Sequence, residues 1–170
     1  MKNLIITIGI LLSTLSNNVY AQKFDSLQVL FTQKVNEERQ KLGLGKLILD
    51  SEINKPAVFH VNYLKTHELS HSEVDKRYET ATLRGENLTN KKHYVTSEVI
   101  HRYKISGGDI NYSSNDTLVN QAVAGLMNSH GHKVIMTSQN IKYIGVGVLK
   151  EKRRFIVVMV FADEFPYTSN

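Results

Sequence analysis

The chain of 170 residues contains no cysteine. Disulfides, cysteine nucleophiles and thiolate metal sites are excluded, and an exported protein of this kind is held together by packing alone. Long apolar runs are missing too. The opening run, Leu4 to Leu12, is well short of the roughly 20 residues that a spanning helix needs, so no transmembrane anchor is expected. Neither sign of charge dominates: 21 Lys and Arg stand against 16 Asp and Glu. The basic residues are scattered, apart from Lys150, Lys152, Arg153 and Arg154, and no aromatics interleave with them, which argues against nucleic acid as a partner. There is no G-x-S-x-G elbow, no H-E-x-x-H pair and no glycine-rich phosphate loop, so several enzyme classes drop out.

What is present begins with a leader. Lys2, the apolar run and the small-residue pattern Val19, Tyr20, Ala21 read as a secretory signal peptide over residues 1–21, leaving residues 22–170 as one domain. Losing Lys2 lowers the formal charge from +5 to +4, a modest excess. The remaining chain is long enough to bury a core without cross-links. The expected location is secreted, periplasmic or at the cell envelope.

Leu27, Leu30, Phe31, Val35 and Leu42 recur at helical spacing and predict a first helix ending at Gly43. Asp50 is a good cap for a second helix that buries Ile53, Ala57, Val58, Val61 and Leu64. Pro56 implies that this helix either starts near Asn54 or is kinked there. Residues 68–90 read as a surface loop with two short ordered pieces, 95–103 as a helix, 106–117 as a flexible loop and 118–127 as a further helix. Tyr143 to Lys150 alternates, with Ile144, Val146 and Val148 on one face and Gly145 and Gly147 on the other, which lets another element approach closely. With the apolar run Phe155 to Phe161 it predicts an antiparallel hairpin across the charged link. The sum is a mixed α and β fold with helices packed on a sheet.

His71, Glu86 and His132 stand in irregular regions or at helix ends, where binding groups usually sit. Two imidazoles and a carboxylate can serve as three ligands to Zn2+ or another divalent ion, with a fourth position for water. Against this, Glu86 in a Gly85-Glu86-Asn87 turn could simply cap backbone N–H groups. His130 is expected to solvate its turn, and His60, His67, His93 and His101 to lie on the surface or on helix faces.

Several pieces share one order with a known family: Asn36 and Arg39; Gly43-Leu44, Leu47 and Asp50; Ala57 and His60; Ser70-His71; Gly85-Glu86-Asn87-Leu88; Ser129 with Gly131-His132; and Ile144-Gly145-Val146-Gly147. Nearly the whole mature chain thereby resembles the CAP superfamily, also called the SCP or pathogenesis-related-1 domain, in its short bacterial form. The resemblance implies an α+β fold, a three-layer α-β-α sandwich with a mainly antiparallel central sheet, and a cleft where His71, Glu86 and His132 face one another. The chain departs from the family at three places. Leu126 replaces a tryptophan and the second acid's place falls near Ser129; His130 stands where proline commonly precedes the G-H pair; and Lys91 to Thr117 is longer than usual.

Two functions follow. The first is a binding module, not an enzyme, whose cleft engages a lipid, cell-wall polymer or peptide, with or without a divalent metal. The alternative is a metal-assisted hydrolase with Glu86 as general base on a histidine-bound water. An enzyme needs a group poised to protonate the leaving group, and beyond His130 or Glu98 the chain offers no candidate for it, which favours the first.

Overall fold

The computed structural model describes residues 24–90, 93–104 and 113–164, with the side chains of His93 and Lys104 left out. The signal-peptide expectation and most of the loop expected at 106–117 lie outside these residues.

Helix α1, Ser26–Lys41, opens on a capping box in which Asp25 accepts from Leu27 N–H and Gln28 reaches back to the Asp25 N–H. It ends as the sequence predicts: Gly43 takes the left-handed conformation at φ +72, and Leu44 N–H bonds back to Arg39 O. Phe31 and Val35 are buried, whereas Leu42, at the reversal itself, is half-exposed. The short strand β1, Ile48–Leu49, follows, and then helix α2, Ser51–Tyr63, capped by Asp50. This helix starts at Ser51 and carries Pro56 inside it, buried, so its onset is not delayed to Asn54.

Helix α3, Ala81–Leu88, is one of the ordered pieces in the region read as a loop. The segment 95–103, expected to be helical, is instead part of strand β2, His93–Lys104. The pairing of β2 with its neighbour shifts between Val95 and Ser97. That bulge reverses the alternation of faces, so Val95 shares a face with Ile100, while Val99 and Tyr103 take the other. A period of two therefore cannot be read from the sequence there. Helices α4, Asn115–Asn128, and α5, His130–Met136, lead to strands β3, Tyr143–Glu151, and β4, Arg154–Glu164. The two-histidine stretch read as a turn is thus the first turn of α5.

The sheet order is β1-β3-β4-β2, antiparallel except for the β1–β3 pair. The expected hairpin forms, with Glu151 opposite Arg154. Strand β4 divides the interior: Phe155, Val157, Met159 and Phe161 join residues of α1, α4 and α5, while Ile156, Val158, Val160 and Ala162 join Ile53, Ala57 and Val61 of α2 and Leu64 at its C-cap. Helices thus cover both faces, giving the three layers. The glycines of β3 do what their spacing suggested, since a Cβ on Gly147 would lie 2.3 Å from the Ala57 carbonyl oxygen of α2.

Among the described residues, β3 has no strand on its outer side beyond Ile144. Two helices supply side chains there: Val146 N–H donates to Asn54 Oδ1 at 2.7 Å, and Gln28 Nε2 donates to Val146 O at 2.9 Å. At the far end of α1, the buried Arg39 donates to the carbonyls of Gly45, Met136 and Ser138, tying α1 to the end of α5.

Candidate functional site

The site straddles the outer edge of β2. On the α2 and α3 side, Glu98 projects from β2 beside Ile100, and α3 is drawn against the strand because Gly85 has no side chain. A Cβ there would lie 2.4 Å from Val95 Cγ2. With Gly85 and Arg84 facing inward, the next positions turn outward by helical rotation, so Glu86 and Asn87 are exposed.

Arg84 is fully buried among carboxylates and carbonyls. It donates to Glu98 Oε2 at 2.6 Å, lies 3.7 Å from Glu73 Oε1, and donates to the carbonyl of Tyr78 at 3.0 Å. Glu73 and Glu98 are almost wholly buried. His60 is buried beside them. Its Nδ1 meets Glu73 Oε1 at 2.7 Å and its Nε2 meets the Ser70 carbonyl oxygen at 2.9 Å. A carbonyl only accepts, so Nε2 carries a hydrogen, and a proton must also lie between Nδ1 and the carboxylate. The His60–Glu73 pair therefore holds one proton more than neutral imidazole and free carboxylate. Together with Arg84 and Glu98 the cluster is electrically balanced, the condition for keeping such groups from water.

His71, on the loop after α2, extends this network to the surface. Its Nδ1 lies 3.0 Å from Glu98 Oε1, while its side chain is 58% exposed. His132, in the first turn of α5, is half-buried. Burial, and then the charge of nearby His71, hold its imidazole below the ordinary histidine range. His101 points from the other face of β2 toward α4, its Cε1 3.4 Å from where a Gly125 Cβ would sit. Burial and then His132 push it down in the same way. Three imidazoles thus follow one another across the edge of β2.

Of the residues singled out by sequence, His71 and His132 are brought close enough for His71 to disfavour the charged form of His132. Glu86 lies on the exposed side of α3, and among the described residues no group of three or more His, Asp and Glu is placed to hold a metal ion. His60 and His101, expected on the surface or a helix face, are respectively buried in the ion cluster and half-buried on β2. His130 is exposed, as a solvated residue should be.

Sequence reasoning missed His60, Glu73 and Arg84. One signal was available, since His60 falls on the apolar stripe Ile53, Ala57, Leu64 of α2, and a polar side chain in a buried stripe needs partners. A separate cavity of about 560 Å3 lies at the open edge of β3, walled by Phe24, Gln28, Asn54, Val58, Phe59 and Leu88. None of the site histidines lines it.

No curated protein sequence matches the chain at a significant level. Solved structures do. An outer surface protein from Borrelia burgdorferi superposes with a TM-score of 0.60 at 19% identity, covering 81% of this chain and 91% of its own. An extracellular protein containing an SCP domain from Bacillus anthracis gives 0.58 at 18% identity and 81% coverage, and the match spans only 40% of that longer chain. NaASP2, whose structure was determined with Zn2+, gives 0.55 at 13% identity, covering 83% of this chain and 82% of its own. At these identities the likeness is one of fold. The model of the CAP family, described as the cysteine-rich secretory protein family, matches residues 32–161. This cysteine-free chain belongs to the CAP family.

Proposed function

We propose that the protein is an exported, surface-acting binding module whose cleft, between the loop carrying His71 and the first turn of α5, engages an extended ligand: cell-wall polymer, lipid or peptide. The observation that carries this reading is the state of the acids. Glu98, the carboxylate bonded to His71, is tied to Arg84, and Glu73 is tied to His60, so neither is free to deliver a proton to a leaving group. Glu86 is exposed on α3. What faces outward is a pair of imidazoles, good hydrogen-bonding groups and poor hydrolytic machinery without an acid.

The fold and the extracellular or surface character of the Borrelia and Bacillus proteins support an exported setting. Among the described residues no helix is long and apolar enough to cross a membrane. A resident Zn2+ takes three or four protein ligands, and the donor set does not fit one, because among the described residues the two imidazoles have no third donor placed with them. A divalent ion would enter only as a guest of His71 and His132, completed by water or by the ligand itself.

Co-sedimentation of the mature domain with purified cell walls, and separately with anionic vesicles, tests the proposal. Retention on one of them should fall at least tenfold in His71→Ala combined with His132→Ala. Equal retention of the double variant, or retention on neither, sinks it, as would turnover of a peptide or ester substrate that vanishes in Glu86→Gln.

A further inference from the structure

The network behind His71 settles which of its nitrogens faces the cleft. Glu98 has both oxygens engaged, Oε2 by Arg84 at 2.6 Å and Oε1 by His71 Nδ1 at 3.0 Å. A guanidinium only donates, so Glu98 meets Arg84 as a carboxylate acceptor, and its other oxygen accepts in the same way. His71 Nδ1 must then be the donor. In neutral imidazole one nitrogen donates and the other accepts, so Nε2 carries the lone pair. Among the described residues Nε2 has no hydrogen-bond partner, and the side chain is more than half exposed.

We infer that Glu98 is a positioning residue that holds His71 in the Nδ1–H form, so that the cleft presents an acceptor nitrogen and selects a ligand group that donates a hydrogen bond, a hydroxyl or an amide N–H. This rests on the reading of the cleft as a binding site and narrows its ligand class. Carboxylates and other bare anions have no hydrogen to offer Nε2. Hydroxyl-rich and amide-rich polymers have many. Arg84 serves at one remove, by donating to Glu98 and leaving it an acceptor toward His71, while the Glu73–His60 pair packs on its other side.

The tautomer is measurable without any ligand, which keeps this inference separable from the binding proposal. Long-range 1H–15N correlation spectra of the mature domain, recorded about two pH units above the ordinary imidazole value near 6.5, should show His71 in the Nδ1–H pattern. In Glu98→Ala, with the acceptor gone, His71 should lose that pattern and revert to Nε2–H. Glu98→Gln keeps an oxygen and should retain the pattern in part. Diethyl pyrocarbonate, which acylates an exposed imidazole lone pair, should modify His71 at Nε2 in the wild type and severalfold more slowly in Glu98→Ala. Wild-type His71 in the Nε2–H form overturns the inference whether or not either variant folds, and so does an unchanged tautomer in folded Glu98→Ala. A confirmed tautomer with no retention on walls or vesicles would leave the inference standing and remove the binding proposal.

Discussion

Gly145 of β3 and Ile53 of α2 are so close that a Cβ built on the glycine would lie 2.0 Å from the Ile53 carbonyl oxygen. The obstacle is helix backbone, which cannot swing aside as a side chain could. Gly145→Ala should therefore lie at the severe end of overpacking, about 3 kcal/mol or more. Gly131→Ala is the control, because nothing lies within 4 Å of its Cβ position. It should be neutral or gain up to about 1 kcal/mol. Urea unfolding of both variants gives the answer, and near-equal midpoints would mean that α2 does not rest on β3 as described.

Asn54 completes an edge where no strand does. Asn54→Ala strips the buried Val146 N–H of its partner and should cost about 1–3 kcal/mol. It also uncovers part of the outer side of β3, and an uncovered edge invites pairing with another copy. Light scattering at rising concentration should show more self-association in the variant than in wild type. A variant that is equally stable and no more self-associated than wild type would contradict the proposed role.

Arg84→Met removes the one guanidinium shared by Glu98 and Glu73. Glu98 left buried without its cation, with Glu73 keeping only His60, should destabilise the fold by about 3–5 kcal/mol. Arg84→Met combined with Glu98→Leu and Glu73→Gln removes the charges together and should recover much of the loss. A single variant within about 1 kcal/mol of wild type would show the cluster to be solvated.

The depressed imidazole of His101 gives stability a direction in pH. A histidine lowered in the folded state takes up its proton more readily when unfolded, so its contribution is intact above the unfolded value near 6.5 and is lost as pH falls from there toward the folded value. His132, shifted the same way, adds to the effect. Melting temperature should fall between about pH 7 and pH 5, and His101→Gln should flatten part of that slope. An identical slope in the variant would assign the acid sensitivity elsewhere.

How much of this was legible in the sequence varies by element, for physical reasons. Helices α1 and α2 and the β3–β4 hairpin are visible because cap, period and turn agree in each. Strand β2 is hidden because its bulge places Val95 and Ile100 on one face and Val99 and Tyr103 on the other, a pattern that imitates helical spacing. Glu98 can be named as an acid from the sequence, but the face on which it emerges depends on that bulge and cannot be read there. His71 and His132 could be picked out as histidines beside turns or helix ends. That Glu86 is exposed could not be read, because its direction follows from Gly85 packing on Val95.

The sheet order carries one last consequence. Strand β1 pairs with β3 and β2 pairs with β4, so each early strand has its partner in the final hairpin of the domain. Among the described residues, no ladder of hydrogen bonds can close until the chain has been made as far as Tyr143. The sheet is therefore the last part of this polypeptide to close, with β1 and β2 waiting while the helices between them and the hairpin are made.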